Sequence, residues 1–318
     1  MTWLEMLVIL VILVLTAAIL LPPLLRDPGP RRRASCANNL KQLGLSMKMY
    51  ANESRGEMYP ALGFYHVPLV DCDSLEFEST GRIDSVLTNS FHIPSMYPEY
   101  VDQPSVFVCY KDSENRIGDP RRIAQVVVDE FNQVCAQEGR GVRTAGDSYT
   151  YLAHYSNRVG EEYSVVRLGK VAGFEDSIWK DLEVPVQLGL YANLIASLRD
   201  SDPAELIRLM DGDLGRDDPY IPIEGLDQSA EEIATYRLFR LREGLMRFLI
   251  TDINAPETFT HSESGTPVMF DNAFAVPVGY HHLSGNNVLY LDGHVAFVKY
   301  GESFVTSDPY AQVMDGLY

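Results

Sequence analysis

Hydrophobic and polar positions divide the chain unevenly. From Met6 to Leu21 no charge appears: twelve of these sixteen residues are Leu, Ile or Val, and the others are Met6, Thr16, Ala17 and Ala18. As a helix this run is about 24 Å long, close to a bilayer core of about 30 Å once flanking residues are added. No basic region precedes it, as a signal peptide requires, and Ile19 to Leu25 stay apolar beyond the small residues Ala17 and Ala18. The pattern predicts a membrane anchor over residues 1–25. Pro22-Pro23 and Asp27-Pro28-Gly29-Pro30 then interrupt the helix, because proline removes a backbone donor and clashes with the preceding turn.

Helical periodicity resumes after Pro30. Leu40, Leu43, Met47 and Tyr50 fall on one face, Lys41, Gln42 and Lys48 lie elsewhere, and Gly56 with Pro60 marks the stop. Such an apolar stripe needs a cover, most simply an antiparallel sheet. Near the other end, Val288–Leu291 and Val295–Tyr300 are β-rich runs separated by Asp292-Gly293, which predicts a hairpin with a two-residue loop. Between lie two predicted helices, one opened by Asp202 and Pro203, the other by the capping box Ser229 to Glu232 and running to about Ile250. Leu238, Leu241, Leu245, Phe248 and Leu249 form the apolar face of the second; Arg237, Arg240, Arg242 and Arg247 read as its solvated face.

Glu5 changes the meaning of the anchor. A carboxylate in hydrocarbon costs up to about 3 kcal/mol at the bilayer centre and less near the interface, so it calls for a cation. The α-amino group of residue 1 on a neighbouring copy is one, and that pairing also fixes axial register. The simpler alternative is the favourable field of the helix N-terminus.

An uncharged start, Glu5, a long apolar helix and Pro22 resemble the mature N-terminus of type IV pilins and type II secretion pseudopilins. The resemblance implies that Met1 occupies the processed, N-methylated first position, with a basic leader removed by a prepilin peptidase; an unprocessed initiator is the alternative. Residues 38–62, NNLKQLGLSMKMYANESRGEMYPAL, resemble the helix-to-loop junction of pilin-like proteins abundant in planctomycetes and verrucomicrobia. His282, nine intervening residues, then Asp292-Gly293 resemble the C-terminal motif of that group, and PVMFDN at 267–272 and FVCYKDSENR at 107–116 also look like its members.

The fold implied is α+β and type IV pilin-like: a long N-terminal helix (residues 1–56), interrupted near Pro22–Pro30 and packed on an antiparallel β-sheet. Residues 57–318 form the globular head, with a helical insertion at about 160–255. The function implied is a structural subunit of a homopolymeric surface filament, inserted in the inner membrane with its head in the periplasm before assembly by the pilus machinery. Met1, Glu5, Pro22 and Pro23 carry assembly in this reading. A secretion pseudopilin is the nearer alternative, and a membrane-anchored enzyme or binding protein the more distant one.

Composition and candidate chemistry refine this. Of 318 residues 46% are apolar and 22% charged, enough for a packed core. The net charge of −18 sets the surface against phosphate backbones and nucleic-acid partners. His281, His282, Asp292 and His294 offer imidazole and carboxylate for a metal or a general base. Yet the turn already accounts for Asp292, and His282 reads as a structural histidine anchoring the hairpin. No G-x-S-x-G, H-E-x-x-H or phosphate-cradling glycine loop is present, so the chain reads as no enzyme. Asp211, Asp213 and Asp217, interleaved with glycine, suit calcium, although Pro222 stands where an EF-hand has its twelfth-place glutamate; a solvated turn is the plainer reading. No other cofactor is expected. Cys36, Cys72, Cys109 and Cys135 suit an extracytoplasmic disulfide framework with three pairings. Of these, Cys36–Cys109 with Cys72–Cys135 is preferred, and a buried free thiol at Cys36 is the alternative.

Overall fold

The computed structural model describes residues 3, 6–7, 29–71, 78–109, 134–135, 148–156, 165–171, 174, 180–185, 188–194, 208–210, 212–214, 237–249, 262–272, 284–307, 309–311 and 313. Glu5, Pro22, Pro23 and most of the apolar run lie outside these, although Trp3, Met6 and Leu7 are helical and exposed. Among the described residues no helix is long and apolar enough to cross a membrane.

Helix α1 spans Gly29–Glu53. Pro30 is tolerated in its first turn because the missing N–H has no intrahelical partner there. The predicted stripe is the buried one: Leu40, Leu43 and Met47 are fully buried with Cys36 and Ala51, Tyr50 is half-buried, and Lys41 and Gln42 face solvent. The helix stops three residues before the expected glycine. There the Ser54 hydroxyl lies between the Ala51 carbonyl behind it, at 3.0 Å, and the Met58 carbonyl ahead, at 2.6 Å, either of which can accept its one proton, and Gly56 takes a left-handed φ of 75° in the following turn.

Under α1 lies an antiparallel four-stranded sheet, in the order β11 (Val295–Lys299), β10 (Gly285–Tyr290), β9 (Pro267–Asp271), β4 (Tyr149–Tyr151). The second sheet pairs β1 (Leu62–Asp71) with β2 (Glu78–Phe91) antiparallel, and β1 with the short β3 (Val134–Cys135) in parallel. The chain is therefore α+β, built almost wholly from antiparallel pairs. Helix and sheet approach closely at Gly44, where a β-carbon would stand 2.7 Å from Leu289 Cδ1 on β10. A larger residue at that point would push the two layers apart.

The middle of the chain departs from the second of the expected helices, whereas residues 208–210, at the end of the first, are helical. Residues 238–240, placed by their apolar spacing on a long helix, form strand β8 (Leu238–Arg240), antiparallel to β5 (His154–Ser156). Only Met246–Leu249, helix α2, is helical in the described part of that stretch. The spacing misleads because Leu238, Leu241, Leu245 and Leu249 are all buried, although they line a strand, a turn and one helical turn in succession. Strands β6 (Val165–Arg167) and β7 (Glu183–Pro185) form a further ribbon. Residues 188–194 are helical and bury Leu188, Leu190 and Leu194, whereas the start predicted at Asp202 lies outside the described residues.

Candidate functional site

Among the described residues, three constellations gather chemically capable side chains. The first is the junction of α1 with the β9–β10 pair. Cys36 and Cys109 are joined in a disulfide with Cα atoms 5.3 Å apart, as the preferred pairing expects. Cys109 follows the turn Pro104–Phe107 and lies outside any strand. Its N–H donates to Ser148 Oγ at 3.0 Å. Beside the disulfide stands Asp271, fully buried, whose Oδ2 accepts from Asn287 N at 2.9 Å and Asn287 Nδ2 at 2.7 Å. Asn287 Nδ2 also reaches the Arg33 carbonyl on α1 at 3.2 Å, and Asn39 Nδ2 donates to the Val108 carbonyl at 3.1 Å. On the other side of β4, Tyr310 OH donates to Thr150 Oγ1 and Thr150 Oγ1 to Asn272 Oδ1, at 2.8 and 3.0 Å. A polar seam thus runs through an otherwise apolar core and fixes how helix and sheet meet. Cys135 lies opposite Val70 in the β1–β3 ladder; Cys72 is outside the described residues.

The second constellation is the C-terminal hairpin. Its loop holds three residues, Leu291, Asp292 and Gly293, rather than two: Tyr290 N donates to the His294 carbonyl at 2.9 Å and Gly293 N to the Tyr290 carbonyl at 2.8 Å. A two-residue type I′ loop needs positive φ at both central positions, and here only Gly293 has it, at 93°. Asp292 Oδ1 instead accepts from His294 N at 3.0 Å and pairs with His294 Nδ1 at 2.6 Å, while the His294 ring stacks on Tyr290 with centroids 4.4 Å apart. Partial burial by itself would raise the Asp292 carboxyl, but the His294 amide and ring more than reverse this and hold it below its ordinary value. Among the described residues Asp292 is hydrogen-bonded by His294. His281 and His282 lie outside the described residues.

The third constellation is one that apolar spacing concealed. Arg240 and Arg242, read as a solvated face, are buried. The Arg240 guanidinium donates to the carbonyls of Met210 and Tyr59, both at 2.7 Å, and its backbone N–H donates to Asp213 Oδ1 at 2.8 Å. Arg242 pairs with the same Asp213 oxygen and lies 4.8 Å from the centroid of Phe248. Of the three aspartates expected to suit calcium, Asp213 is thus engaged by arginine, and Asp211 and Asp217 lie outside the described residues. The same segment binds the end of α1. Residues 57–59 run antiparallel to 241–243, Lys48 Nζ reaches Glu243 Oε1 at 2.9 Å, and Tyr59 OH donates to that oxygen at 2.7 Å. His154 is buried against this cluster. Loss of solvation, then the charge of Arg240, pushes its imidazole down to about 3, so it is neutral over the ordinary pH range. Alternation of apolar and basic residues over Phe239-Arg240-Leu241-Arg242 was the signal for a strand, but it would have turned the arginines outward; their burial rests on acceptors distant in the chain.

Comparison with protein families, with curated proteins and with solved structures finds no match to this chain.

Proposed function

We propose that the chain is the structural subunit of a homopolymeric, type IV pilus-like surface filament. The observation that carries this reading is an uncharged apolar run with one acid at position 5, leading into a helix that lies by a single stripe on an antiparallel sheet. The run holds the subunit in the inner membrane before assembly and lines the filament core afterwards. Glu5 meets the residue-1 amine of an adjacent copy, and Pro22 and Pro23 let the helix extend. The Cys36–Cys109 disulfide supports a head that faces an oxidising compartment, since such bonds persist outside the cytosol. A prepilin peptidase and the pilus assembly machinery are the partners this role requires, and the work is mechanical rather than catalytic.

The test is Glu5→Ala, with filaments counted by negative-stain electron microscopy and the first residue weighed by mass spectrometry for methylation. Loss of long polymers with the head still folded is the expected result. Polymers in normal number refute the pairing, and a wild-type chain that forms only short stubs points to a secretion pseudopilin instead.

A further inference from the structure

The buried junction around the disulfide carries more than a covalent staple. One ligand-type atom from each of Cys36, Cys109 and Asp271 lies within 4.8 Å of the other two, and all three residues are buried. We propose that, when the disulfide is reduced, these three residues form a site for zinc or another thiolate-preferring divalent ion. The inference is independent of the filament reading.

The donor set argues for it. Two thiolates and one carboxylate, with a fourth position open, match the borderline-soft, four-coordinate preference of zinc. In a tetrahedral zinc site two sulfur ligands stand about 3.8 Å apart, so the existing spacing demands only a short separation of the freed sulfurs. The carboxylate is already oriented, because Asn287 holds Asp271 Oδ2 with its backbone and side-chain amides and is itself tied to the Arg33 carbonyl. Metal ligands are ordinarily fixed by such outer hydrogen bonds. The three ligands also come from three separate stretches, α1, the segment after Pro104–Phe107, and β9. An ion would therefore replace the disulfide as the tie between helix and sheet.

The chemistry balances simply. A dithiol reductant gives two electrons and two protons to the S–S bond, becoming a cyclic disulfide and leaving two thiols. Metal binding then releases both thiol protons to water. Disulfide and metal are alternative occupants of one junction, selected by redox conditions.

The experiment uses the full chain in detergent, with Cys72→Ser and Cys135→Ser removing the other thiols. It is reduced with a dithiol, freed of reductant under inert gas and titrated with Co²⁺, then Zn²⁺. The expected result is one Co²⁺ per chain, with a thiolate-to-cobalt charge-transfer band and tetrahedral d–d bands that Zn²⁺ displaces, and no band before reduction. Asp271→Asn should weaken Co²⁺ binding at least tenfold while far-ultraviolet circular dichroism stays unchanged; Cys36→Ser should abolish the charge-transfer band. No thiolate band in the reduced chain overturns the proposal. So does equal affinity in Asp271→Asn, which would mean two thiols bind metal without the carboxylate.

Discussion

The close approach of α1 to β10 at Gly44 makes a prediction whose sign depends on one neighbour. Inside a helix, replacing glycine by alanine stabilises by about 1 kcal/mol, because the unfolded chain loses less freedom. At position 44 the added methyl would stand 2.7 Å from Leu289 Cδ1 and 3.2 Å from Cδ2. Leu289 is buried on β10 and cannot swing into solvent. Forcing an extra methyl into a packed core costs about 1–3 kcal/mol, so Gly44→Ala should destabilise by about 1 kcal/mol net. Leu289→Ala removes the obstructing methyls and by itself costs about 2–5 kcal/mol. In that background Gly44→Ala should stabilise by about 1 kcal/mol, leaving a coupling of about 2 kcal/mol between the two positions. Urea unfolding of the four full-length variants in one detergent, followed by near-ultraviolet circular dichroism, measures this. If Gly44→Ala raises the midpoint equally with and without Leu289, helix and sheet do not press together there and the packing described above is wrong.

Other consequences follow from the same geometry. The disulfide joins residues 73 apart in sequence, so Cys36→Ala with Cys109→Ala should lower stability by about 4 kcal/mol through the freed unfolded chain; a loss under about 1 kcal/mol would show that the bond constrains little. His154 stays neutral down to about 3 when folded, among Arg240, Arg242 and Asp213, whereas an unfolded histidine protonates near 6.5. The unfolded state therefore binds more protons between these values. This contribution is intact above pH 6.5 and is lost as pH falls toward 3, by up to about 1.4 kcal/mol per pH unit. His154→Gln should flatten the stability profile between pH 6 and 4, and equal slopes in the two proteins would contradict the burial.

The chain's own pattern went far with its local elements. The stripe Leu40, Leu43, Met47 is the face that α1 buries, because a 3.6-residue period has one geometric meaning once a cover exists. The C-terminal hairpin was equally legible: Asp292-Gly293 marked the turn, although loop length depended on which residue took positive φ, and only Gly293 did. Leu238 to Leu249 was misread because spacing of apolar residues records burial, not the element that achieves it. A strand, a turn and a short helix bury the same leucines, and only pairing with His154–Ser156 selects the strand. Arg240 and Arg242 could not be placed from sequence either. Burying a guanidinium depends on acceptors at Tyr59, Met210 and Asp213, which are distant along the chain. Likewise, four cysteines allowed three pairings, and a contact across 73 residues settled Cys36–Cys109. Neighbours close in the chain were enough to define the apolar run, the helix stripe and the hairpin turn, and composition alone set the net charge of −18. Only the tertiary structure decided strand identity in the middle, the cysteine bond and the meeting of Asp271 with that bond, because each depends on which distant residues come within a few ångströms.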